Sequence, residues 1–161
     1  AEMAGVWTEE QNDAIVADPN LFPKLLEAHT STVTDFLLQE IRFELSKATP
    51  EKEDNYVVSD ISWSGEWSWA SLGPHIANLL KESEPANEAK LGRLLKILQG
   101  SALCDEEIAA LASIKVRSVH TPRHVAHWYA VWVRRQSGAG VFFKLLGSAM
   151  PLQTPAAEGS A

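Results

Sequence analysis

Apolar residues recur every three or four positions through most of this chain, a spacing that turns successive apolar side chains onto one face of a helix. Val33, Leu37, Ile41 and Leu45 repeat every four residues, and Phe36 and Leu38 widen that stripe. Thr30 or Ser31 caps its start. A shorter helix from Phe22 or Pro23 to His29 precedes it, with Pro23 tolerated only in the first turn. Further upstream, Thr8-Glu-Glu-Gln11 is a capping-box pattern that opens a helix containing Ile15 and Val16 and ending before Pro19.

The same reading covers the second half. Leu72, Ile76, Leu79 and Leu80 form a stripe starting at Ser71 or at Gly73-Pro74. Leu91, Leu94, Leu95 and Leu98 form the next, begun after Pro85-Ala86-Asn87 and stopped by Gly100 at a C′ position. Asp105-Glu-Glu places three acids at a helix N-terminus, where the macrodipole favours them. Thr121-Pro122 supplies an N-cap and a first-turn proline, and Val125, Trp128, Tyr129, Trp132 and Val133 follow as an apolar face. A last helix is expected over 139–146, and 151–161 reads as a disordered tail or linker.

The stretch 48–70 breaks the pattern. Its polar start suits a solvated loop, and the alternation from Tyr56 to Trp69 suits a small hairpin. Closed by Ser64, Gly65 and Glu66, that hairpin sets Trp63 opposite Trp67 and Ile61 opposite Trp69. A surface loop pinned by the tryptophans is the alternative. The expected fold is therefore all-α: a single domain over residues 1–150, with seven or eight mostly short helices in antiparallel pairs and a Trp-rich insertion at about 48–70. Recurring Leu-Leu pairs at Leu25, Leu79, Leu94 and Leu145 admit an irregular HEAT-like stack, but their spacing has no fixed period, which favours a compact domain.

Charge is divided by position. Residues 1–107 carry 20 acidic against 8 basic side chains, whereas 108–157 carry six basic and no acidic ones. Such a dipolar chain presents a basic surface to an anionic partner or to its own acidic half. Lys115, Arg117, His120, Arg123 and His124 surround the start of the helix opened by Pro122, where free N–H groups also attract anions. Arg134 and Arg135 extend the basic set, and Trp63, Trp67 and Trp69 are candidate aromatic contacts. His120, His124 and His127 have spacings that suit zinc. No acid lies between Ile108 and Ala157 to support them, so no metal and no cofactor is expected. Cys104, the only cysteine, excludes an internal disulfide, and carboxylates beside it disfavour a thiolate.

Walker A, HExxH, CxxC and GxSxG patterns are absent, which argues against an enzyme. The expectation is a non-enzymatic interaction or scaffold module, a subunit or fragment of a larger assembly, binding an acidic protein surface through its basic C-terminal half. A nucleic-acid-binding accessory domain is the second reading, disfavoured by the net charge of −7. A metal-dependent hydrolase built on the three histidines is the third. No apolar run approaches the ~20 residues of a membrane span, and 1–6 lacks the features of a secretory leader, so a cytoplasmic setting is expected.

Overall fold

The computed structural model describes residues 20–52 and 56–136. The expected helices at 8–16 and 139–146, the tail at 151–161 and the domain boundary at 150 lie outside the described residues. Within them the chain forms seven helices and no strand: α1 (Leu21–Ala28), α2 (Thr30–Lys47), α3 (Val57–Ser64), α4 (Glu66–Glu82), α5 (Glu88–Gln99), α6 (Asp105–Ser118) and α7 (Pro122–Gln136). None of these is long and apolar enough to cross a membrane.

Helix α5 occupies the centre. Leu91, Leu94, Leu95, Ile97 and Leu98 are all buried, and α3, α4 and α7 pack on it. A solenoid repeat touches only its neighbours in the stack. Packing through one shared helix instead gives a compact domain with a single core running from Leu38 to Val131. Short links make pairs: His29 alone separates α1 from α2, and 119–121 folds α7 back onto α6. Thr30 Oγ1 donates to Leu26 O at 2.8 Å and so holds the α1–α2 corner.

Three expectations need correction. The stretch from Val57 onward is neither hairpin nor loop but α3 and the start of α4, broken only at Gly65. Its buried positions, Val58, Ile61, Ser62, Ser68, Trp69 and Leu72, keep helical spacing. Serines sit where a sequence stripe needs apolar residues, while the exposed Trp63 mimics alternation. Second, α4 does not begin at Ser71 or Gly73 but runs straight through Pro74. An interior proline costs about 3 kcal/mol. Full burial of Leu72, Ile76 and Leu80 on the same helix offsets that, at roughly 1.5–3 kcal/mol each. Third, the buried face of α2 is centred on Thr34, Leu38, Ile41 and Glu44, which leaves Phe36 exposed rather than widening the stripe.

Gly100 does end α5, with φ −89° rather than a left-handed conformation. Its lack of a side chain matters for another reason: a Cβ there would lie 2.2 Å from Cε3 of Trp69. At Gly73 a Cβ would meet Ser101 Cβ at 2.3 Å. These two glycines let α4 close onto the link between α5 and α6. Trp69, so seated, donates its buried indole N–H to Ile61 O at 2.8 Å, a carbonyl that also accepts from Gly65 N, and so ties α4 to the end of α3. Gly100→Ala should therefore lower stability by about 1–3 kcal/mol through overpacking. Thermal melts of the variant check this, because a glycine needed only as a helix stop would lose far less.

Candidate interaction surface

The link between α4 and α5 supplies the carboxylates that organise the basic half. Glu84 is held by three donors from the α6–α7 hairpin. Its Oε1 accepts from Trp128 Nε1 at 2.8 Å and lies 3.4 Å from His124 Nδ1, and its Oε2 lies 3.2 Å from Lys115 Nζ. Trp128 is fully buried, so Glu84 satisfies an indole N–H that water does not reach. One turn onward, Glu88 opens α5. Its Oε1 is 3.1 Å from His127 Nε2 and its Oε2 is 3.3 Å from Arg123 Nη1. The hydrogen bond from His127, then that from Arg123, outweigh partial desolvation and hold the Glu88 carboxyl below the usual glutamate range. A depressed carboxyl strengthens a contact above the pH at which it protonates, so this link loosens as pH falls through the lowered value.

The predicted basic residues thus have different fates. Lys115 is buried against Glu84. Arg123 keeps 82% of its side chain exposed while pairing with Glu88. Arg135 reaches Asp105 at 2.8 Å and also donates to Gln99 O, and Arg134 donates to Gln99 Oε1 at 3.2 Å. Arg117 is exposed and bonds its own helix at Ser113 O, and His120 is exposed in the α6–α7 link. The acidic half of the chain therefore supplies counter-charges to Lys115, Arg123 and Arg135.

The three histidines are not brought together. His124 faces Glu84 and His127 faces Glu88, and His120 is exposed in the α6–α7 link. Among the described residues no group of three or more His, Cys, Asp or Glu is placed to hold a metal ion. At Cys104 a backbone hydrogen bond with Glu107 lowers the thiol pKa, but the Glu107 and Glu106 side chains and burial together raise it, so the thiolate is disfavoured.

The three clustered tryptophans also separate. Trp69 is core, Trp67 stacks on Phe22 at 6.0 Å between ring centroids, and Trp63 is 73% exposed. Tyr129 is likewise exposed, edge-on to Trp132, while Trp128 enters the core as its helical spacing requires. Trp63 borders a groove of about 470 Å³ that crosses the outer face of α5 from α3 to α7, between Ser62 and Trp63 on one side and His127 on the other. Glu88, Gly92, Arg93 and Lys96 also line it. Lys96 Nζ sits 4.3 Å from the centre of the Trp63 ring and 5.9 Å from that of Trp69. Sequence reasoning named Trp63 and His127 but missed Glu88, Gly92, Arg93 and Lys96. The available signal was Gly92, a helix-interior glycine whose cost of about 1 kcal/mol relative to alanine marks a close approach. A Cβ there would lie 3.3 Å from His127 Cε1.

Comparison with protein-family models, with curated protein sequences and with solved structures found no match. Function is therefore argued from the surface itself. Because Glu84 serves three donors at once, Glu84→Ala should cost on the order of 2–3 kcal/mol and Glu84→Gln, which keeps an acceptor for Trp128, distinctly less. Urea denaturation followed by tryptophan emission measures both.

Proposed function

We propose that this chain is a non-enzymatic interaction or scaffold module, a subunit or fragment of a larger assembly in a cytoplasmic setting, that binds an acidic surface of a partner protein. The observation that carries this reading is the set of large apolar side chains left in solvent on a helical frame: Phe36, Phe43, Trp63, Ile114 and Tyr129 are all more than half exposed. Single exposed apolar residues are ordinary, but aromatic ones on rigid helices are the groups that dominate interface energetics. The α6–α7 corner adds Arg117, His120 and Arg123, whose charges meet a partner's acids at modest desolvation cost. Lys115 and His124 contribute by holding that end of the hairpin through Glu84, and Arg134 and Arg135 by fixing its opposite end to Gln99 and Asp105.

The nucleic-acid reading has less support, since Lys115 and Arg135 already face carboxylates and the whole chain carries −7. The hydrolase reading draws none from the separated histidines. The test is affinity capture from native extract with cross-linking, comparing the natural chain with the double variant Arg117→Glu, Arg123→Glu. Loss of the captured partner is expected, with little change in melting temperature, because exposed charge changes stay within about 0.5 kcal/mol. Unchanged capture, or affinity for oligonucleotides that grows with length and falls steeply with salt, contradicts the proposal.

A further inference from the structure

We propose that residues 141–146 of this chain dock in the apolar groove between α4 and α6, which they reach by crossing α6 over Ala109 and Ala110. The occupant is a segment of the same chain that lies outside the described residues. This goes beyond the interaction-module reading and does not depend on it.

Two grooves flank α6. One, of about 590 Å³, runs along Ala109, Ala110 and Ser113 and is bounded by Arg135 and Gln136 of α7. The other, of about 390 Å³, lies between α4 and α6 and is lined mainly by apolar side chains, among them Pro74, Ala77, Leu103, Leu111 and Ile114. Ala110 borders both. Ile114 is 59% exposed in the second groove, although a side chain of that kind gains by burial. Charge does not select the occupant there. The lining carries Lys81 and Glu107, one of each sign, and Glu107 already accepts from Cys104 N. An apolar segment fits.

The point of departure and the length of the link select which segment. The described chain ends at Gln136, in the wall of the first groove. Ser137-Gly-Ala-Gly140 follows, then Val-Phe-Phe-Lys-Leu-Leu over 141–146, in which five of six side chains are apolar. Four linking residues extend to at most about 14 Å. A helix with its side chains is about 10–12 Å across, so the link clears α6 only where those side chains are short. Ala109 and Ala110 are short and share the first groove with Gln136. Gly138 and Gly140 let the link pass close to them. A short tether also makes docking intramolecular, with an effective concentration on the order of millimolar. The apolar side chains of 141–146 then cover Ile114, and a partner protein reaches Ile114 only by displacing them.

Cys104, the only cysteine, is exposed and follows Leu103 in the groove wall, so a nitroxide attached to its sulfur reports on that groove. The experiment uses the full chain labelled with nitrogen-15 and carrying the nitroxide. Amide signals of 141–146 are expected to be lost and to return when the nitroxide is reduced, while those of 156–161 persist. A mixture of nitroxide-labelled chain and separate nitrogen-15 chain is expected to show no such loss. Ile114→Asp, at an exposed position, should restore the 141–146 signals with circular dichroism unchanged, and Ile114→Leu should keep them lost. The double variant Phe142→Asp, Phe143→Asp should restore them as well. Signals of 141–146 that survive beside the nitroxide, or a loss spread evenly over 137–161 and indifferent to Ile114→Asp, overturn the inference. A loss in the mixed sample means that a second copy supplies the segment, and overturns docking within one chain. Partner capture through Arg117 and Arg123 is read separately, so failure here leaves the interaction-module reading to its own test.

Discussion

The arrangement of helices depends on one buried ion pair. Lys90 and Glu44 have side chains only 0% and 1% exposed, and Lys90 Nζ donates to Glu44 Oε1. Each charge sits at the unfavourable end of its own helix: Glu44 in the last turns of α2 and Lys90 in the first turn of α5. Pairing resolves both conflicts. The second carboxylate oxygen of Glu44 accepts from Val58 N at 3.1 Å, in the first turn of α3, where free N–H groups need an acceptor. Asn87 extends the network: its Oδ1 caps Lys90 N at 3.2 Å and its Nδ2 donates to Thr49 O and Lys52 O. One polar cluster thus ties α2, the loop after it, α3 and α5. Removing two charges from water costs several kcal/mol per ion, and an apolar pair of equal volume binds helices as tightly. The pair's contribution is therefore to register, since sliding α2 by one turn would part Glu44 from Lys90.

A second layer of pairing closes the other half of the molecule. Glu84, Glu88 and Asp105 come from the acidic part of the chain, and Lys115, Arg123 and Arg135 from the basic part. The charge division along the sequence is thus used within the fold, with the α4–α5 link and the starts of α5 and α6 presenting acids to α6 and α7. Glu84 is the most committed of these, because the fully buried Trp128 depends on it for its indole N–H.

Much of the fold was legible in the sequence because its longer helices combine a three- or four-residue apolar spacing with punctuated starts at Asn87, Asp105 and Pro122. The Thr30 or Ser31 cap expected for α2, by contrast, is not used: His29 precedes that helix without a side-chain cap. Asn87 caps Lys90 N at the start of α5, and the acids from Asp105 and the first-turn Pro122 start α6 and α7 where their chemistry requires. Helix α3 and the start of α4 were hidden because Ser62, Gly65 and Ser68 occupy inward positions there, and small residues leave no apolar stripe to count. Trp69 reads as core only once Gly100 is known to lie against it, a contact 31 residues distant in the chain. The basic residues were visible as a set, but nothing local says which will meet a carboxylate from α4 or α5. Glu44 and Lys90 were invisible for the same reason: charged residues usually stay in water, and their pairing spans 46 positions.

A double-mutant cycle on the buried pair addresses the central claim most directly. Lys90→Met leaves a buried carboxylate without its cation, and Glu44→Gln leaves a buried ammonium facing a neutral amide that still accepts from Val58 N. Stability of both single variants and of the double is measured by urea denaturation, with circular dichroism as the readout. Each single substitution is predicted to cost about 3–5 kcal/mol, and the double to cost less than the larger single, because it removes both charges together. Single losses under about 1 kcal/mol that simply add in the double would mean a solvated pair with no hold on the register of α2 and α5, and would contradict the account.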